Sequence, residues 1–165
     1  MSPEPARLHA KVLTVSDGVA GRTRDDASGR ALVEALGDAG YDVRTHRVTS
    51  DGVDAVADAL VELAAGFAGL IVTTGGTGFG PRDLTPEGTR QVIEREAPGI
   101  VEAIRRASDA GGRGFGMLSR AVAGTRGQAL ICNLPGSSSG AREGLEILLT
   151  VAPHALDLLA GGHPH

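Results

Sequence analysis

Two aspartates and a run of glycines carry most of the chemistry legible in this chain. Asp51 follows Thr49-Ser50, and Asp83 closes the string Thr73-Thr-Gly-Gly-Thr-Gly-Phe-Gly-Pro-Arg-Asp83. Two carboxylates beside bound phosphates suit Mg²⁺, a hard cation that takes a few oxygen ligands and keeps several waters. Asp17, in Ser16-Asp17-Gly18, is a third acid of the same kind. Gly75, Gly76 and Gly78 let the backbone turn tightly and present successive N–H groups to an anion. Thr74 and Thr77 add hydroxyl donors, and Arg82 supplies a cation able to clamp a phosphate. The string is not a Walker A loop, because no Gly-Lys-Ser/Thr follows, and the dinucleotide glycine spacing is absent after the first strand. A turn shaped only by its glycines, with aspartates capping it, is the structural alternative for the same residues.

A second polar stretch, Asn133-Leu134-Pro135-Gly136-Ser137, runs on through Ser138-Ser139-Gly140. It couples a rigid turn to hydroxyls at a helix start, where unpaired N–H groups favour anions. Ser119-Arg120 offers one more anion contact. The histidines at 9, 46, 154, 163 and 165 show no metal-ligand spacing, and no Ser-His-Asp or Cys-His arrangement is suggested. Cys132 is the only cysteine, which excludes an internal disulfide or a thiolate metal cluster. In the run Ala129-Leu-Ile-Cys it reads as a small buried hydrophobe.

These groups must be positioned by secondary structure. Short apolar runs at His9–Val15, Asp42–Val48, Gly69–Thr74 and Gln128–Leu134 read as strands, with Gly69–Thr74 the most central by its unbroken apolarity. Between them lie helical patterns: one from about Ser28 to Gly40, and Val53–Ala65 with Val53, Val56, Leu60 and Leu63 inward. A third starts at Thr85-Pro86-Glu87, with Thr85 as its cap, and ends before Pro98. Ile100–Ala107, a stretch through Leu145, Leu148 and Leu149, and Pro153–Ala160 complete the helices. Asp109–Gly116 reads as a mobile connection, and residues 1–8 and 161–165 as loose ends. Strands alternating with helices predict a three-layer α/β/α fold with a mainly parallel sheet, in a single domain spanning 1–165. In such a sheet ligands bind beyond the carboxyl ends of the strands. All four polar loops follow strand ends and are expected to converge on one edge.

Composition narrows the partners. The net charge is −4 with scattered Lys and Arg, and aromatics amount to one Tyr, three Phe and no Trp. Nucleic acid is disfavoured, since it calls for a basic excess and stacking platforms. No run reaches the roughly 20 apolar residues that span a bilayer, and the start of the chain has no apolar leader stretch, so the cytoplasm is expected.

The chain resembles the molybdopterin adenylyltransferases of molybdenum-cofactor biosynthesis, the MogA/MoaB group related to the gephyrin G domain. The likeness rests on Thr14-Val-Ser-Asp-Gly, Asp26-Ala-Ser-Gly, Asp51, Thr73-Thr-Gly-Gly-Thr-Gly, Pro81-Arg-Asp-Leu-Thr-Pro-Glu, Leu118-Ser-Arg, Asn133-Leu-Pro-Gly and Pro153-His-Ala. It implies ATP and molybdopterin as substrates, AMP transfer to the molybdopterin phosphate, and Mg²⁺ held by Asp51 and Asp83. It further implies a phosphate loop at Gly75–Gly78, a pterin-side loop at Asn133–Ser137, a homotrimer, and other cofactor-biosynthesis proteins as partners. One departure stands out: Ser138 and Ser139 occupy places where many members have Pro and Lys, with Arg142 a turn later. A non-catalytic molybdopterin carrier and a CinA-like nucleotide hydrolase are the alternative functions on this fold.

Overall fold

The computed structural model describes residues 6–109 and 114–163. Its framework is a six-stranded sheet with spatial order β2-β1-β3-β6-β5-β4. Strands β1 (His9–Val15), β2 (Asp42–Thr49), β3 (Gly69–Thr74) and β6 (Ala129–Leu134) run parallel. Two short strands, β5 (Ala123–Arg126) and β4 (Arg95–Glu96), extend the sheet antiparallel beyond β6. The fold class is therefore the expected α/β with a mainly parallel sheet, and β3 is indeed central. The antiparallel pair was not expected. At four and two residues these strands are too short to show a period, and β4 interrupts what reads in sequence as one helix running to Pro98.

Residues on alternate sides of each strand feed two separate cores, because successive side chains point to opposite faces. Ala10, Val12, Leu70, Val72, Leu130, Cys132 and Leu134 face helices α2 (Ala27–Asp38), α5 (Pro98–Asp109), α6 (Ser138–Leu149) and α7 (Ala152–Leu159). Leu13, Val15, Ile71 and Ile131 face α3 (Val53–Ala64) and the segment around Val92. Val56, Leu60 and Leu63 fill that second core as expected, whereas Val53 is only half-buried. No helix among the described residues is long and apolar enough to cross a membrane.

The connections create a switch point. From β1 the chain leaves over one face through α2 to β2 on one flank. It then returns over the other face through α3 to β3 on the opposite flank. The exits of β1 and β3 therefore diverge and leave a crevice between them, the place where ligands settle in open α/β sheets. The strand ends are level, with Val15 beside Thr49, Thr14 beside Thr74, and Thr74 beside Leu134.

Several boundaries differ from the sequence reading. Helix α2 begins at Ala27, within one residue of the expected start near Ser28, and Asp26 caps it, its carboxylate accepting from Gly29 N at 2.9 Å. The helix after Asp83, α4 (Thr85–Arg90), has Leu84 at its cap position. Thr85 instead donates its hydroxyl to the Gly75 carbonyl at 2.9 Å. Of the segment expected to be mobile, residues 110–113 lie outside the described residues, and Phe115–Leu118 form one 3₁₀ turn. Of the ends expected to be loose, residues 1–5 and 164–165 lie outside the described residues. Leu8 accepts from Asp42 N at 2.8 Å, and Gly161 and Gly162 close the end of α7.

Asn133 ties sheet to helix. It is fully buried, donating from Nδ2 to the hydroxyls of Thr73 (3.0 Å) and Thr89 (2.9 Å), while Oδ1 accepts from Val122 N at 3.1 Å. Removing that amide strands Val122 N and the Thr73 hydroxyl in a dry interior, while the Thr89 hydroxyl keeps its bond to Thr85 O. Asn133→Ala is expected to lower unfolding free energy by about 3 kcal/mol, measured by urea denaturation.

Candidate active site

A cavity of about 370 Å³ opens in the crevice between the exits of β1 and β3. Thr14, Val15 and Ser16 from β1 and Thr74, Gly75 and Gly76 from β3 line it, as do Asp26–Ser28 at the start of α2 and Ser137–Ser138 at the start of α6. Asp51 and Asp83 both face it. The first turns of two twelve-residue helices thus open onto the same space, and such turns carry unpaired N–H groups and positive dipole ends.

The loop after β3 depends on its glycines. Gly75 has φ +99°, and a Cβ there would lie 2.3 Å from the Val15 carbonyl oxygen. Gly76 has φ +69°, and its Cβ would meet Thr85 Oγ1 at 2.2 Å and Asp51 Oδ1 at 3.1 Å. The backbone can run this close to β1 and Asp51 only without side chains. Thr85 clamps the turn, its hydroxyl on Gly75 O and its amide donating to Gly76 O at 3.1 Å. Among the described residues no acceptor pairs with the amides of Gly76, Thr77 or Gly78. They are donors free for a ligand.

Asp17 and Asp51 lock the exits of β1 and β2 together. The Asp17 amide donates to Asp51 Oδ2 at 2.8 Å, and the Asp51 amide donates to Asp17 Oδ1 at 3.1 Å. Arg82 lies across Asp17 with Nε and Nη2 at 3.0 and 3.1 Å and also donates to the Asp51 carbonyl at 2.9 Å. The Arg82 hydrogen bond holds the Asp17 carboxyl below its ordinary range. Asp51 is displaced the other way. Burial raises its pKa above the ordinary 3.8, and the charges of Asp17 and Asp83 add to the rise against the Asp17 amide and Arg82. Asp83 anchors its own loop by accepting from Gly80 N at 2.8 Å.

The other expected site residues divide into those that face ligand space and those that hold the walls. Ser16 and Ser137 line the cavity while capping α1 (Asp17–Ala20) and α6. Gly136 lines it too. Thr77, Gly78, Ser119, Pro135 and Ser137 line a neighbouring cavity of about 570 Å³, so Ser137 belongs to both. Thr74 was expected to donate to a ligand, but its buried hydroxyl donates to Pro135 O at 2.7 Å and joins the two glycine-bearing loops. Arg82, expected to clamp an anion, is engaged with Asp17. Arg120, expected as an anion contact, holds the loop from inside: its guanidinium donates to Gly78 O at 2.9 Å and Asp83 O at 2.5 Å and pairs with Glu87. Asn133 and Leu134 are fully buried and line neither cavity. Hydroxyl and guanidinium groups near a site fasten loops as readily as they bind ligands, and side-chain type alone does not separate the two.

The sequence reading assigned no site role to a cluster in the cavity wall. Asp26 accepts from Thr14 Oγ1 at 2.9 Å and lies 2.9 Å from His46 Nε2. It buttresses the start of α2, and a Cβ at Gly29 would collide with it and with Thr14. The spacing Asp26-Ala-Ser-Gly29 was the available signal. His46 gave none, being one polar residue of an alternating strand. No group of three or more metal-ligating side chains is found among the described residues. Asp51 and Asp83 are a pair, sufficient for a cation that shares its shell with phosphate and water.

Comparison with known proteins agrees with this geometry. A family described as "probable molybdopterin binding domain" matches residues 11–154. A protein of Helicobacter pylori strain J99 named molybdopterin adenylyltransferase is 34% identical over 161 residues, covering 94% of this chain and 90% of its own. The crystal structure of the molybdopterin biosynthesis enzyme MoaB from Thermus thermophilus superposes with TM-score 0.86 at 41% identity, covering 96% of this chain and 99% of that one. The molybdopterin biosynthesis Mog protein of Mycobacterium ulcerans gives 0.85 at 39% identity, covering 94% and 98%. With its switch-point cavity, its level strand exits and a match across nearly its whole length, this chain belongs to the molybdopterin-binding family of molybdenum-cofactor biosynthesis.

Proposed function

We propose that this chain is a molybdopterin adenylyltransferase, transferring AMP from ATP to the terminal phosphate of molybdopterin and releasing pyrophosphate. The observation that carries the reading is the convergence of Asp51, Asp83 and the bare glycine backbone on one cavity. A phosphate oxygen of molybdopterin attacks the α-phosphorus of ATP. A new P–O bond forms there as the bond to the β-phosphate bridge breaks, and pyrophosphate leaves with that electron pair. Both reactants are anions, so the protein's task is to hold them in line against their repulsion and to stabilise charge moving toward the leaving group. The amides of Gly76, Thr77 and Gly78 and the first turns of α2 and α6 do this with fixed dipoles, which need no reorganisation during the step. No covalent protein intermediate is required. The two carboxylates fit Mg²⁺ by donor type and by facing one cavity; such an ion would be held by Asp51 and Asp83 and would neutralise phosphate charge. The adjoining larger cavity, sharing Ser137, accommodates the pterin end of the acceptor. The reading places the reaction in the cytoplasm and treats 1–165 as one functional domain.

The test is incubation of purified protein with molybdopterin, ATP and Mg²⁺, followed by detection of adenylylated pterin and pyrophosphate. Free AMP without pterin would identify a hydrolase, and tight pterin binding without pyrophosphate a carrier. Asp83→Ala is expected to leave circular dichroism unchanged and to cut AMP transfer at least ~100-fold. Asp51→Asn is expected to lose transfer to a similar degree without lowering Tm, because it removes an ionised group whose burial opposes ionisation.

The raised pKa also sets a pH dependence. The folded state holds the Asp51 proton more tightly than the unfolded chain does. Ionised Asp51 therefore opposes folding once pH rises above the ordinary 3.8, and this opposition fades in acid. Transfer needs the carboxylate, so kcat/KM is expected to fall as pH drops through an apparent pKa above 3.8. Asp17→Asn removes a like charge and releases Arg82 toward Asp51. The acid limb then moves to lower pH, read from the kcat/KM profile.

A further inference from the structure

The cavity holds one cationic side chain that the motifs do not single out. Arg24 lines it together with Asp51, Asp83, Gly75 and Gly76. It is the only Lys or Arg among the lining residues, and it makes no ion pair among the described residues. Its acidic neighbours are already engaged. Asp25 is held by Arg30 through two bonds of 2.7 and 2.5 Å. Asp26 is held by Gly29 N, Thr14 and His46. Among the described residues, a cation beside two acids is thus left without an ion-pair partner and lines the cavity that Asp51 and Asp83 also line.

The placement of Arg24 is built in. The carbonyl of Gly18 accepts from the amides of Thr23 (2.9 Å) and Arg24 (3.1 Å) and from the Thr23 hydroxyl (3.2 Å), which fixes the turn carrying Arg24. The arginine stem then packs where Gly18 lacks a side chain: a Cβ there would lie 3.1 Å from Arg24 Cβ and 3.6 Å from its Cδ. Arg24 thereby lines the same cavity as Asp51 and Asp83 while extending from the loop before α2, a different element from those that carry the two acids.

We propose that Arg24 is a phosphate-binding residue of this cavity, pairing with the polyphosphate chain of the bound nucleotide. This rests on reading the cavity as the nucleotide site. A guanidinium is suited to the role because its planar donors match two phosphate oxygens at once. Pairing with the polyphosphate would also draw charge off pyrophosphate as it leaves.

The test is calorimetric titration of wild type, Arg24→Ala and Arg24→Lys with ATP, inorganic pyrophosphate, AMP and molybdopterin in Mg²⁺ buffer. Arg24→Ala is expected to weaken ATP and pyrophosphate roughly 10- to 100-fold, the range for a charged hydrogen-bond partner. AMP and molybdopterin affinities should change little, and Arg24→Lys should recover part of the loss. Gly18→Ala, which displaces the arginine stem, should weaken the same two ligands. Unchanged ATP and pyrophosphate affinity in Arg24→Ala overturns the proposal. So does a loss confined to molybdopterin, which would assign Arg24 to the acceptor's phosphate. Arg24-dependent pyrophosphate binding by a protein that forms no adenylylated pterin would uphold this inference and overturn the transferase reading.

Discussion

The close passage of the β3 exit past β1 is the constraint on which the site depends. At Gly75 the backbone runs against the Val15 carbonyl, and at Gly76 against Thr85 and Asp51, with no room for a methyl group at either. That contact brings the acid at the end of β2 toward the loop carrying Asp83, and it leaves a row of amides uncovered. The crevice itself follows from topology, since the β1–β2 connection crosses one face of the sheet and the β2–β3 connection crosses the other, on opposite flanks of β1. Topology supplies the space, and two missing side chains bring the reactive groups to its edge.

Electrostatics pulls against the fold at this edge. Three aspartates lie close together, and burial with mutual repulsion raises the proton affinity of Asp51. Arg82 relieves part of that strain through Asp17, outside the cavity, so the neutralising cation does not compete for the space. Arg120 acts comparably on Glu87 and on the carbonyls of Gly78 and Asp83. The arginines most visible in the motifs hold the walls. The one facing the cavity, Arg24, lies in the turn between α1 and α2.

Much of the framework was legible because buried parallel strands announce themselves as unbroken apolar runs, as β3 and β6 do, and because each is followed by turn-forming residues. Strand ends placed on one edge made the convergence of Asp51 and Asp83 foreseeable once the sheet was taken as parallel. The antiparallel strands were not legible, since Ala123–Arg126 contains too few residues to show alternation. Nor could side-chain type assign duty at the site. Thr74, Thr85 and Asn133 carry donors suited to a ligand, yet each satisfies a buried carbonyl or hydroxyl instead, and only three-dimensional neighbours reveal that. His46 was invisible for the converse reason: its partner Asp26 lies twenty positions earlier in the chain, across a helix and a turn.

Cys132 offers a different consequence. It sits fully buried on β6, and burial pushes its thiol up to about 12, so the native protein exposes no reactive sulfur. A ligand carrying soft sulfur atoms would meet no protein thiol with which to exchange. A cysteine introduced on the cavity rim would be the sole accessible one, a clean attachment point for a spectroscopic reporter in an otherwise silent background.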